Sequence, residues 1–133
     1  MPSEPRWLRV DEIIELNQDL VADTGEPHQL IKPEDLEGAC HRPIRLWEYA
    51  HEADMVVLAT RLMFAVAAAH GFLQGNKRTG FMAGLMFLAL NGWSLQPETD
   101  GEMLGDFFID VMNEGLDEAE FVAFLNQHVF ERV

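Results

Sequence analysis

A single cysteine, Cys40, stands in 133 residues, so no disulfide can form within the chain and the fold must be held by its packed core. That usage fits a reducing compartment. Cys40 has no partner motif and reads as a half-buried thiol. Positive charge is scarce as well: nine Lys and Arg face 23 Asp and Glu, a formal charge of -14. A surface of that sign repels a polyanion, which argues against direct contact with nucleic acid, and it attracts basic partners. The longest apolar run, Phe81 to Leu90, halts at Asn91-Gly92 and is too short to cross a bilayer. The opening "MPSEPRWLRVDE" has no apolar leader. The expectation is a cytoplasmic protein without a membrane partner. His28, His41, His51 and His128 show no spacing with Cys or carboxylates that spells a zinc site. Repeats, low-complexity tracts and long linkers are missing, so residues 1–133 read as one domain.

What is present is a set of helical patterns. Val10 to Ala22 places Ile13, Leu16, Leu20 and Val21 on one side and Glu12, Glu15, Gln18 and Asp19 on the other, an amphipathic helix. "TGEPH" ends it. Pro33 suits a first helical position with Glu34 and Asp35 following, and the spacing predicts a short helix ending near His41, because Pro43 opposes its continuation. Ile44 to Ala50 reads either as an extended flap or as a helical turn. Ala53 to Ala69 and Thr79 to Leu90 are apolar on nearly every face, which marks central helices. Asp100 to Asn113 and Asp117 to Val129 are two more amphipathic helices with acidic first turns. No strand series stands out. The predicted fold is all-α: a bundle of five or six helices with two buried central helices, and a short flap.

Between the two central helices lies a polar insert, "HGFLQGNKRT", His70 to Thr79. The start of a helix presents unpaired N–H groups and a positive dipole end. Lys77 and Arg78 add positive charge at that end, which is unfavourable unless something negative arrives. The conflict points to a bound anion, most readily a phosphate, beside Gly75, Lys77 and Arg78. Gly75 permits an unusual backbone angle, and Phe72 reads as the anchor of the loop to the core. His70, at the other side, is placed to act as a general base.

These residues resemble the motif of the Fic/Doc family, His-x-Phe-x-(Asp/Glu)-Gly-Asn-(Gly/Lys)-Arg. Here it reads His70, Gly71, Phe72, Leu73, Gln74, Gly75, Asn76, Lys77, Arg78, with six of seven signature positions satisfied. The apolar helices on either side and the upstream "DLEGACHRP" extend the similarity over roughly Val10 to Val129. The resemblance implies transfer of AMP, or in Doc-type members of a terminal phosphate, from ATP to a hydroxyl of a protein. Lys77 stands where AMP-transferring members have Gly, and Phe81 stands where they carry a second Arg, so the resemblance is closest to Doc-type toxins.

It then implies a kinase-like toxin of a toxin–antitoxin pair acting on translation elongation factor Tu. His70 would be the catalytic base, and Asn76, the backbone N–H groups around Gly75 and the side chains of Lys77 and Arg78 would hold the transferring phosphate. An antitoxin with a disordered tail would hold the toxin in check. The family's inhibitory pattern, Ser/Thr-x-x-x-Glu-(Gly/Asn), has no match: Glu37-Gly38 follows Pro33, and Glu114-Gly115 follows Asp110. The metal position is Gln74 instead of Asp or Glu. A neutral carbonyl oxygen is a poor substitute for a carboxylate on Mg²⁺, so the alternatives are a weakened enzyme or a silent Fic-fold binding module.

Overall fold

The computed structural model describes residues 2–133. Two helices hold its centre: α3 (Met55–Ala69) and α4 (Asn76–Leu90). Ten of the fifteen residues of α3 are buried, as its all-round apolar sequence requires. Asp54 starts this helix by accepting from the N–H groups of Val56 and Val57. The two helices approach backbone to backbone. A Cβ on Gly80 would stand 2.5 Å from the Met63 carbonyl oxygen, and one on Gly84 would stand 2.3 Å from Met63 Cγ. Glycine at both positions is what lets α4 lie this close to α3, and both ends of the motif loop are fixed by that contact.

The remaining elements wrap this pair. They are α1 (Val10–Asp23), α2 (Pro33–Tyr49), β1 (Trp93–Leu95), α5 (Gly101–Glu114), α6 (Glu118–Asn126) and β2 (Val129–Glu131). α1 buries Ile13, Asn17 and Val21, and α2 buries Leu36, Ala39, Cys40 and Pro43. Behind α3 and α4, Phe64, Phe108 and Phe121 meet edge to face with centroids 5.0 to 6.3 Å apart. β1 and β2 form a short antiparallel pair with Ser94 opposite Phe130. Arg132, just beyond it, donates 2.7 Å bonds to the carbonyls of Ala89 and Trp93, placing a cation at the C-terminal end of α4.

The all-α architecture with two buried central helices is as expected, and four local expectations change. α2 does not stop near His41. It runs through Pro43 to Tyr49, so of the two readings of Ile44 to Ala50 the helical one holds and the flap does not. An internal proline forfeits one backbone hydrogen bond and costs on the order of 3 kcal/mol, here offset by burying Pro43 together with Ala39 and Cys40. The segment that pairs with the motif loop is instead Gln29–Lys32. α4 begins at Asn76, three residues before the expected start. α6 ends at Asn126, because Val129–Glu131 is taken into the strand pair.

Candidate functional site

The motif falls on three pieces of structure. His70 is the C-terminal cap of α3, in the left-handed conformation (φ 49, ψ 43). Gly71 to Gly75 form the loop proper. Asn76, Lys77 and Arg78 are the first turn of α4. A left-handed histidine is uncommon. Here it turns the chain out of α3 and leaves the imidazole exposed, without a hydrogen-bond partner among the described residues.

Main-chain bonds hold the loop to the Gln29–Lys32 segment. The N–H groups of Ile31 and Lys32 donate to the Gly71 carbonyl at 2.7 and 3.0 Å, and the N–H of Leu73 donates to Gln29 at 2.9 Å. Phe72 is the anchor expected from the sequence, at 1% exposure, with His28 against its ring. The Asn76 amide completes the arrangement. Its Oδ1 accepts from the Phe72 N–H at 3.0 Å and its Nδ2 donates to the Phe72 carbonyl at 2.8 Å. Both ends of Asn76 are therefore spent on shaping the loop.

Beneath the loop sits a residue the sequence reading passed over. Asn17 on α1 is fully buried. Its Nδ2 donates to the Gln74 carbonyl at 2.8 Å and to the Thr79 hydroxyl at 3.0 Å, and its Oδ1 lies 2.8 Å from His28 Nδ1. The two acceptors fix the orientation of the Asn17 amide, so His28 is the donor to its oxygen. The signal was in the sequence: Ile13, Asn17 and Val21 are four residues apart, which puts a polar residue on the apolar stripe of α1.

The two cations of the motif diverge. Lys77 Nζ donates to Asn113 Oδ1 on α5. Arg78 turns to the loop after α1, where Nη2 meets Glu26 Oε1 at 2.6 Å and Nη1 meets the Thr24 hydroxyl at 3.3 Å. The Thr24 hydroxyl also binds Glu26, and it and Arg78 together hold the Glu26 carboxyl below the usual carboxylate range. The negative group expected at this helix start is, in the structure, a side chain of the protein itself. Gly75 has the predicted positive φ (77°), but its open side faces Val21, Asn17 and the Arg78 guanidinium at 3.1 to 3.3 Å.

His70 opens onto a different space. A cavity of about 460 Å³ lies between α2 and α3, bordered by Lys32, Arg42, Arg61 and His70. None of Gly75 to Arg78 lines it. The structure thus places His70 at the mouth of a groove and the helix start at its own charge-balanced site.

The Fic/DOC family model matches residues 7–88, which covers α1 to α3, the whole motif and all but the last two residues of α4. The chain belongs to the Fic/DOC family. No curated protein matches it. In this Fic/DOC chain the position of the family's second Arg is Phe81, packed against Phe108 with centroids 5.8 Å apart and 8% exposed. The Gln74 side chain is exposed and has no hydrogen-bond partner among the described residues. Among the described residues no group of three or more His, Cys, Asp or Glu is arranged to hold a metal ion. Glu26 is bound to Arg78, and Gln74 offers one neutral oxygen. This donor set does not fit Mg²⁺. No helix among the described residues is long and apolar enough to cross a membrane.

Proposed function

We propose that this Fic/DOC protein transfers the terminal phosphate of ATP to a hydroxyl of a protein substrate, with His70 as the base. The observation that carries the reading is the His70 imidazole, set in a left-handed cap, without a hydrogen-bond partner among the described residues and bordering the groove between α2 and α3. His70 accepts the proton of the incoming hydroxyl as its oxygen bonds to phosphorus and the bond to the ADP oxygen breaks. The free N–H groups of the first turn of α4, with Lys77 and Arg78, meet the negative charge on the transferring group. Arg78 takes that role by exchanging Glu26 for phosphate oxygens. Lys77 and the buried Phe81 favour phosphate transfer over AMP transfer, because the second clamp on the nucleotide phosphates is missing. A translation factor is the expected target, and an antitoxin with a disordered tail the expected restraint.

The test is transfer of label from ATP to purified translation factors, with γ-labelled and α-labelled nucleotide in parallel. Label from the γ position, abolished by His70→Ala, is the expected result. Label from the α position, or transfer indifferent to His70→Ala, overturns the proposal. Gln74 and the Glu26–Arg78 pair favour a second reading, a binding module that keeps the fold without turnover. Activity that arises only on Gln74→Asp would establish it.

A further inference from the structure

The groove at His70 does not end with the cavity described above. A second cavity of about 400 Å³ shares Arg42 and Arg61 with it and continues to Arg45, Tyr49 and Ala50. The two together follow α2 from Lys32 at its start to Ala50 at its end, about 25 Å at 1.5 Å per residue. Small residues make the floor of the first part: Gly38 and Ala39 on α2, Ala65, Ala68 and Ala69 on α3.

Charge is distributed unevenly along it. The chain has nine Lys and Arg, and four of them, Lys32, Arg42, Arg45 and Arg61, border this one groove of a protein with net charge -14. Arg42 and Arg45 are three residues apart and so share a helix face. Both are exposed, and neither makes an ion pair or side-chain hydrogen bond among the described residues. Arg61 is paired with Glu118 at 2.8 Å, yet its Nε is buried without a partner. The carboxylates on the walls, Glu34 and Asp35, lie at the His70 end. With 23 acidic residues available for pairing, two free arginines beside an arginine with an unsatisfied donor mark a surface built to receive carboxylates from elsewhere.

The geometry points to an acidic polypeptide segment as the occupant, lying along α2 and α3 and bringing a hydroxyl residue to His70. This rests on the reading of His70 as the base and adds the substrate class. Arg61 precedes His70 by nine residues of helix, about 14 Å. An extended chain at about 3.3 Å per residue covers that in about four residues. The substrate therefore carries Asp or Glu beginning about four positions from the modified Ser or Thr. A nucleotide fits less well, since the bordering cations are spread along α2 from Lys32 to Arg45, about 20 Å of helix, instead of converging on one phosphate.

The experiment measures fluorescence anisotropy of a short labelled peptide with one threonine and a run of glutamates starting about four residues from it. Both chain directions are made, with a lysine-run counterpart. Binding should favour a glutamate peptide, weaken with salt, and fall at least about tenfold in Arg42→Glu/Arg45→Glu, the equivalent of 1.4 kcal/mol. Both substituted positions are exposed, and circular dichroism verifies that the fold persists. His70→Ala should bind the peptide as the unaltered chain does, so loss of transfer and loss of docking are read separately. Equal binding of the lysine peptide, indifference to the double charge reversal, or displacement by stoichiometric ATP overturns the inference, the last by making the groove a nucleotide site.

Discussion

Replacing Asn17 by alanine tests how the motif loop is held. The substitution removes two donors and one acceptor beneath Gln74, Thr79 and His28. The Thr79 hydroxyl is fully buried and has no access to water, so its lost partner costs about 1–3 kcal/mol. The Gln74 carbonyl is partly exposed and loses about 1 kcal/mol. His28 is half-exposed and recovers a water partner. The sum is about 3 kcal/mol, a large part of the roughly 7–20 kcal/mol expected for a domain of this length. In urea unfolding, with a slope near 1.5 kcal/mol/M, the midpoint should drop by about 2 M. Asn17→Asp is a sharper variant. A carboxylate cannot donate to Gln74 or Thr79, so at neutral pH it should be at least as harmful as alanine. Amide exchange supplies the local readout. The Phe72 and Leu73 N–H groups, bonded to Asn76 and Gln29, should lose protection beyond what the global change explains. An alanine variant within about 0.5 kcal/mol of the parent, or an aspartate variant of parental stability, refutes the assignment.

Gly80→Ala should destabilise by about 2–3 kcal/mol and Gly84→Ala by less, as followed by thermal unfolding. The added methyl on Gly80 meets the Met63 backbone carbonyl, whereas the one on Gly84 meets chiefly the movable Met63 side chain. The Glu12 carboxyl is lowered to about 2 from 4.5, first by Arg6 and then by the Arg9 N–H. Its contribution is therefore full above pH 4.5 and is lost as pH falls toward 2. For a partly exposed pair this amounts to about 1 kcal/mol, and Glu12→Gln should flatten the acid limb of a stability–pH titration in that window. Burial, with Glu37 nearby, pushes the Cys40 thiol up to about 11. Native protein should resist iodoacetamide at mildly alkaline pH and be alkylated at Cys40 only on unfolding, as mass spectrometry would show.

Much of the fold was legible because its central elements are extreme. No surface helix has the composition of Met55–Ala69, and the motif between two such helices announced the loop. Hydrophobic period carries nothing about single local bonds, and the differences lie there. Pro43 was read by its missing N–H, while its burial beside Ala39 decided the outcome. The start of α4 was displaced because Asn76, Lys77 and Arg78 look polar enough for a loop. Their helical turn is set by the Asn76 amide gripping the Phe72 backbone four residues earlier. The strand pair at Trp93–Leu95 and Val129–Glu131 is three residues a side, too brief for a period of two to show. Glu26 was invisible as a site residue, since it lies 52 positions from Arg78 and only the packing of α1 against α4 brings them together.

That pairing changes how the motif is understood. A guanidinium at a helix start is electrostatically costly, and the sequence reading assigned the compensation to a ligand. The molecule compensates internally. An anion at Arg78 must displace Glu26, so its affinity is set by the difference between two carboxylate- or phosphate-like partners and not by the bare cradle. The Glu26 side chain belongs to the connection that, three residues later, becomes the Gln29–Lys32 segment bonded to Gly71 and Leu73. Lys32, at its end, borders the groove that His70 faces. Seven residues of chain thus touch the Arg78 guanidinium, the backbone of the loop and the rim of the groove. Whatever frees Glu26 acts on a segment already tied to the other two, which gives the proposed anion binding and the proposed groove occupancy a physical route to one another.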